Sequence, residues 1–219
     1  MEPFEYVQSD LRFLIPIHQG DHAVIFGGAK ALGEAILSEK AELAIADQAQ
    51  SIPSESADHV LIPELTKELV NGFPAQYSRI LKPNGWIFVG VHNAEALDRL
   101  AFWKRKARRR FRLSIKTCKK LFHKNGMEVV GFYGVSKNLQ HPQFLISLEH
   151  KEQAAFFFER MYYPYSRRGA IMQTIAQWMV ALGMHRYLFN DIAIVARRAR
   201  IEHDIHSVGK SNEHLVQHS

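Results

Sequence analysis

The segment YSRILKPNGWIFVGVHN, residues 77–93, holds a helix end, a turn and a strand in immediate succession. KPNG, residues 82–85, is a strong turn signal that ends a helix, reverses the chain and launches a strand. Gly85 is expected to take the positive φ that reverses the chain. The next six residues, WIFVGV (86–91), are almost wholly apolar and read as a strand buried on both faces.

Similar strands lie upstream. HAVIFG (22–27) and AELAIAD (41–47) are short apolar runs closed by a glycine and an acid, and ADHVLIP (57–63) is stopped by Pro63. Helical patterns alternate with them, over residues 31–40 and over 64–81 with breaks near Gly72 and Pro74. Downstream come a basic helix at about 94–110, a helix capped by Ser114 and ended by Asn125-Gly126, and a strand at 127–135. The last clear strand is DIAIVARR, 191–198. Strands apolar on both faces, alternating with helices, predict an α/β three-layer sandwich around a mostly parallel sheet. The expected organisation is one domain over 1–200, with a helical insertion at about 137–190 and a flexible polar tail at 201–219. In the insertion, the helix AIMQTIAQWMVALG places Ile171, Ile175, Trp178, Met179 and Leu182 along one stripe.

Composition narrows the function classes. The 219 residues have a globular balance of apolar and charged side chains, with no apolar run long enough to span a membrane. The N-terminus, with Glu2 and Glu5, lacks the pattern of a secretory signal. The single cysteine, Cys118, excludes an internal disulfide and suggests a reducing, cytoplasmic setting. Residues 104–124 hold 11 of the 28 Lys and Arg and no acid, which leaves 17 basic against 22 acidic side chains elsewhere. The net charge of +6 therefore belongs to one segment, which argues against a general nucleic-acid coat.

The turn after the first strand, GGAKALGEA (27–35), is the first candidate for binding. A phosphate loop requires Lys and a hydroxyl after the glycine at position 33, where Glu34 and Ala35 stand instead. A dinucleotide fingerprint requires a glycine where Ala29 stands. A cofactor without phosphates asks less: close backbone approach at Gly27 and Gly28, and an acid at the end of the second strand for ribose hydroxyls. Asp47 is such an acid, 20 residues beyond Gly27. Two readings of the turn stay open, this one and a plain strand-to-helix turn with an acid capping the next loop.

The stretch RILKPNGWIFVGV (79–91) resembles the segment before the fifth strand of class I S-adenosylmethionine-dependent methyltransferases, with Arg79, Leu81, Lys82, Pro83 and Gly85 in place and Asn84 replacing a glycine. Residues 52–69, with Asp58 and the run to Ile62, resemble the family's fourth-strand region, and residues 114–135 its last helix and sixth strand. The resemblance covers about 20–135. It departs from the family at Ile25, Ala29 and Ala31 in the first motif. About ten residues separate Asp47 from Asp58, too few for a third strand, so the sheet is expected to be trimmed at that edge.

The resemblance implies S-adenosylmethionine as cofactor, with Gly27 and Gly28 beneath its amino-acid end and Asp47 on its ribose. Residues Ala49 to Ile52, Ser51 among them, are placed beside the adenine; Ile62, Pro63 and Glu64 face the methyl donor. The implied activity is methyl transfer to a small-molecule or lipid-linked acceptor. The alternative is an inactive relative that keeps the fold and serves as a binding partner.

Glu64 and His92 follow the predicted strands at the edge where such sheets bind ligands, and are the candidate bases. Glu64 also suits a helix N-terminus, and His92 a loop hydrogen bond. In AFFFERMYYPYSRRG (155–169), Tyr162, Tyr163, Arg167 and Arg168 are candidates for substrate contact, while the phenylalanines suit a small core of their own. KRKARRRFR (104–112) suits an anionic partner, RNA or a peripheral membrane surface, or else a solvated helix face. The tail histidines lack a rigid frame, so no metal is expected. A homodimer is compatible with the sequence, which does not specify one.

Overall fold

The computed structural model describes residues 14–27, 41–70, 72–97, 111–139, 142–161 and 166–199. Its strands are β1 (His22–Phe26), β2 (Glu42–Ala46), β3 (Ala57–Ile62), β4 (Leu81–Asn93), β5 (Arg112–Leu113), β6 (Met127–Lys137), β7 (Pro142–Ser147) and β8 (Asp191–Arg198). They form one sheet in the order β2-β1-β3-β4-β8-β6-β7, with β5 paired beside the end of β4. From β2 to β4 the ladders are parallel, whereas β8 runs antiparallel between β4 and β6.

Alternation along the central strands sends side chains to two cores, one on each face of the sheet. Val24, Val60, Ile87, Val89 and Ile194 point into the first. Ala23, Ile25, Leu61, Phe88 and Val195 point into the second. The first core is closed by α1 (Ala75–Ile80), α2 (Ile115–Lys124), α3 (Lys151–Phe156) and α4 (Arg167–Ala181), which contribute Tyr77, Phe122, Ala154 and Val180 respectively. Ile15, Ile17 and Leu139 pack into the second. The helix expected over 31–40, most of the basic helix and the tail lie outside the described residues.

The α/β class and the mostly parallel sheet are as the sequence predicts. So is the trimmed edge: among the described residues nothing pairs with the outer side of β2, and only a short 3-10 turn, Ala49–Ser51, stands between β2 and β3. The Ser114 side chain caps α2 by accepting the Thr117 N–H, and Gly126 ends it with φ +68°.

Four details differ. The insertion is not wholly helical, because β7 pairs antiparallel with β6 before α3 begins. The helix expected over 64–81 is the short α1, since turns at 67–70 and 72–74 precede it. In KPNG it is Asn84, φ +65°, that adopts the left-handed conformation. Gly85 is required for space instead: a β-carbon there would meet the Lys82 carbonyl oxygen at 2.9 Å and that of Asp58 at 3.1 Å. Finally, α4 buries Ala176, Met179 and Val180, while Ile171, Ile175, Trp178 and Leu182 of the expected stripe face outward.

The R-x-L-K-P residues brace the sheet. The Lys82 ammonium donates to both oxygens of Asp58, at 2.8 and 3.0 Å, and Asp58 also accepts the His22 N–H at 2.9 Å. Three strand starts are thereby tied together. Burial raises the Asp58 pKa, but the His22 N–H and the Lys82 charge outweigh it and hold the carboxyl below its ordinary value.

Candidate functional site at the carboxyl edge of the sheet

In-register pairing brings the ends of β1, β2, β3 and β4 to one edge: Phe26 lies beside Ala46, Ile25 beside Leu61, and Ile62 beside Val89. Ligands of open α/β sheets bind at such an edge. Gly27 leaves β1 with φ +83°, and a β-carbon there would make only an ordinary 3.5 Å contact with Leu69. The backbone conformation therefore calls for glycine. Gly28 lies outside the described residues. Asp47 stands exposed at the end of β2.

The loop after β2 is held from α1. Arg79 donates to the Ser54 hydroxyl at 2.8 Å and to the Ala49 and Ile52 carbonyls at 2.9 Å each. Ser51 turns its hydroxyl back onto the Gln48 carbonyl, 2.8 Å away, and Ile52 is half-buried against the first core. Ile62 is fully buried, so its backbone alone can reach a ligand, and Pro63 is buried as well.

Beyond Ile62 the chain crosses over β4. The Leu65 N–H donates to the Gly90 carbonyl at 2.7 Å. A β-carbon on Gly90 would overlap the Pro63 carbonyl oxygen and press on Leu139 at 2.8 Å. That close crossing sets Glu64 against His92. His92 Nε2 lies 3.0 Å from Glu64 Oε1, and its Nδ1 lies 2.6 Å from Asp191 Oδ1. Asp191 opens β8 and is the cross-strand neighbour of His92. The side chains of His92 and Asp191 are 7% and 8% exposed, against 32% for Glu64, so the glutamate is the member that faces outward. Burial disfavours the imidazolium, but hydrogen bonds and charge attraction from Asp191 and Glu64 prevail, and the His92 pKa is raised. With both ring nitrogens donating, two carboxylates and one imidazolium carry a net charge of about −1.

Behind this triad, buried Asn93 donates to the Arg186 and Phe189 carbonyls at 2.9 Å each and accepts the Glu95 N–H. It locks the end of β4 to the turn His185–Tyr187 that leads into β8. The structure thus brings together Glu64 and His92, and adds Asp191, Asn93 and Gly90. An acid at the head of an apolar strand was the one sequence signal for Asp191. Its partner 99 positions away follows only from antiparallel pairing.

Of the candidates for substrate contact, Tyr162, Tyr163 and the Arg168 side chain lie outside the described residues. Arg167 is exposed at the first turn of α4. The other end of that helix leads to Asp191, and fifteen helical residues, about 22 Å, separate the two ends.

No protein-family model matches the chain, and no curated protein matches its sequence. Solved structures do match. An S-adenosylmethionine-dependent methyltransferase from Archaeoglobus fulgidus aligns over 85% of this chain and 90% of its own, with 15% identity and a TM-score of 0.53. One from Methanosarcina mazei aligns over 89% of this chain and 100% of its own, with 9% identity and a TM-score of 0.47. The fold assignment rests on the first. This chain has the fold of the class I S-adenosylmethionine-dependent methyltransferases, in a divergent sequence.

Proposed function

We propose that this chain is an S-adenosylmethionine-dependent methyltransferase whose acceptor, a small or lipid-linked molecule, is taken beside Glu64. The observation that carries the reading is the Glu64–His92–Asp191 triad at the carboxyl edge, beside the turn at Gly27 and the acid Asp47. A buried histidine between two carboxylates has a perturbed pKa, which is characteristic of functional sites. No observation favours the inactive binding partner.

The residues at the edge fit the cofactor. The left-handed Gly27 lets the backbone turn closely beneath an amino-acid group, exposed Asp47 offers carboxylate acceptors to ribose hydroxyls, and Arg79 fixes the loop that would flank the adenine. Gly28 would continue the turn, Ser51 and Ile52 would line the adenine side, and the backbone of Ile62 and Pro63 would face the donor. When bound, the cofactor supplies an electrophilic methyl group on a sulfonium. Glu64 takes the proton that the acceptor hydroxyl or amine loses as the methyl arrives. His92 keeps its N–H on Glu64, and Asp191 holds the ring in orientation. Glu64 protonation takes the triad from a net charge of about −1 to neutral.

The test is calorimetric titration with S-adenosylmethionine and with its demethylated product, on the wild type, Asp47→Ala and Glu64→Gln. Heat from the wild type, reduced in Asp47→Ala and retained in Glu64→Gln, is expected. Silence from both ligands at high concentration overturns the reading; equal binding by Asp47→Ala overturns the ribose assignment.

A further inference from the structure

Helix α4 is apolar on both sides. Its inner side supplies Ala176, Met179 and Val180 to the domain, while Ile171, Met172, Ile175, Trp178 and Leu182 face outward, with Trp178 72% exposed. A contiguous apolar patch rimmed by polar groups marks an interaction surface. No acid occurs in α4, which opens on Arg167 and Arg168 and is followed by Arg186. The acids of the neighbouring segment, Glu152 and Glu159, line a hollow of about 410 Å³ between α3 and α4 and not the outward stripe.

A second helix on the same face of the sheet complements this one. Both α2 and α4 pack into the first core, through Phe122 and Val180 among others. Outward, α2 shows Lys116, Lys119, Lys120 and Lys124, again with no acid in the helix.

We infer that this face docks on an anionic lipid surface, with the outward stripe of α4 at the acyl boundary and the lysines of α2 over the headgroups. A lipid surface satisfies both features at once: an interfacial helix buries its apolar side about 5–10 Å deep while cations remain among anionic headgroups. RNA would pair with the lysines and leave the apolar stripe in water. A second copy docked about a two-fold axis would bury the stripe against itself but bring like-charged helices to the same side. The C-terminal end of α4 leads through His185–Tyr187 to Asp191, the first residue of β8. Docking stands independently of methyl transfer, because its test requires no turnover.

The test is sedimentation of the full chain with vesicles of phosphatidylcholine alone and with added phosphatidylglycerol, at two salt concentrations. The wild type is expected on the mixed vesicles, more weakly at high salt, and scarcely on phosphatidylcholine alone. Ile175→Ser/Trp178→Ser is expected to lower partitioning about tenfold. Its thermal midpoint stays that of the wild type, since both side chains are exposed. Replacing the four α2 lysines with glutamine is expected to weaken binding similarly and to flatten the salt dependence. The inference is overturned if the wild type sediments with neither vesicle or if either variant binds like the wild type. A dimer that the α4 variant dissolves, without effect on vesicle binding, overturns it too.

Discussion

Gly90 of β4 lies directly beneath Pro63, and the contact leaves no room for a β-carbon. That crossing, pinned by the Leu65 N–H on the Gly90 carbonyl, sets Glu64 within reach of His92. Gly90→Ala must push the 63–65 segment away from the strand. The expected outcome is a destabilisation of about 2 kcal/mol, seen as a lower denaturant midpoint. The His92 ring resonances should also titrate at lower pH than in the wild type, because one of the two carboxylates that favour the imidazolium has been withdrawn. An unchanged His92 titration in a folded Gly90→Ala protein would contradict this account.

His92 gives stability a definite pH dependence. Its folded pKa is raised, so the native state binds the proton more tightly than the unfolded chain does. The stabilisation is full below the unfolded value of about 6.5 and is lost as pH rises through the folded value. Thermal midpoints should therefore fall across that alkaline window. In His92→Gln, whose overall stability should be lower by about 3 kcal/mol because Asp191 is left buried without its cation, the same window should be flat.

The central strands were legible because both faces are buried: runs such as ADHVLI and WIFVGV admit no other packing. β7 was not, because PQFLIS opens on proline and is half-exposed over most of its length, so it merged with the helices around it. For α4 the failure has a physical cause. The apolar residues of α4 cover more than one side, so their spacing does not select a single face, and the small Ala176 with Met179 and Val180 won the core over the larger Ile171 and Trp178. At the site, Glu64 and His92 could be read as residues following strands. Asp191 and Gly90 could not, because one needs the strand order and the other needs the loop that crosses it. The motif residues Arg79 and Lys82 were visible as a pattern, but their roles as a loop clamp and a strand brace depend on partners that only folding assembles.

Arg79 is the clamp on the loop after β2, and its planar fork reaches three oxygens at once. Arg79→Ala should leave the sheet intact and free residues 49–54. If the loop flanks the cofactor, calorimetric affinity for S-adenosylmethionine should drop about tenfold, since the loop must then be ordered on binding. Arg79→Lys should restore little of it, because a single ammonium cannot span the same three acceptors. Full affinity in Arg79→Ala would separate this loop from the binding site.

The Lys82–Asp58 pair contributes to the acid resistance of the fold. Asp58 has a lowered folded pKa, so its contribution is present above the unfolded value of about 3.9 and is lost as pH falls through the folded one. Both side chains retain some solvent contact, which limits the pair to about 1 kcal/mol. Lys82→Met removes the cation but leaves the His22 N–H on Asp58, so the carboxyl should protonate at higher pH without escaping its hydrogen bond. Acid unfolding followed by circular dichroism should accordingly shift to a higher midpoint pH in Lys82→Met. It should shift further in Asp58→Ala, where the His22 N–H also loses its acceptor. A midpoint unmoved in both variants would mean that the brace contributes nothing to holding the three strand starts together.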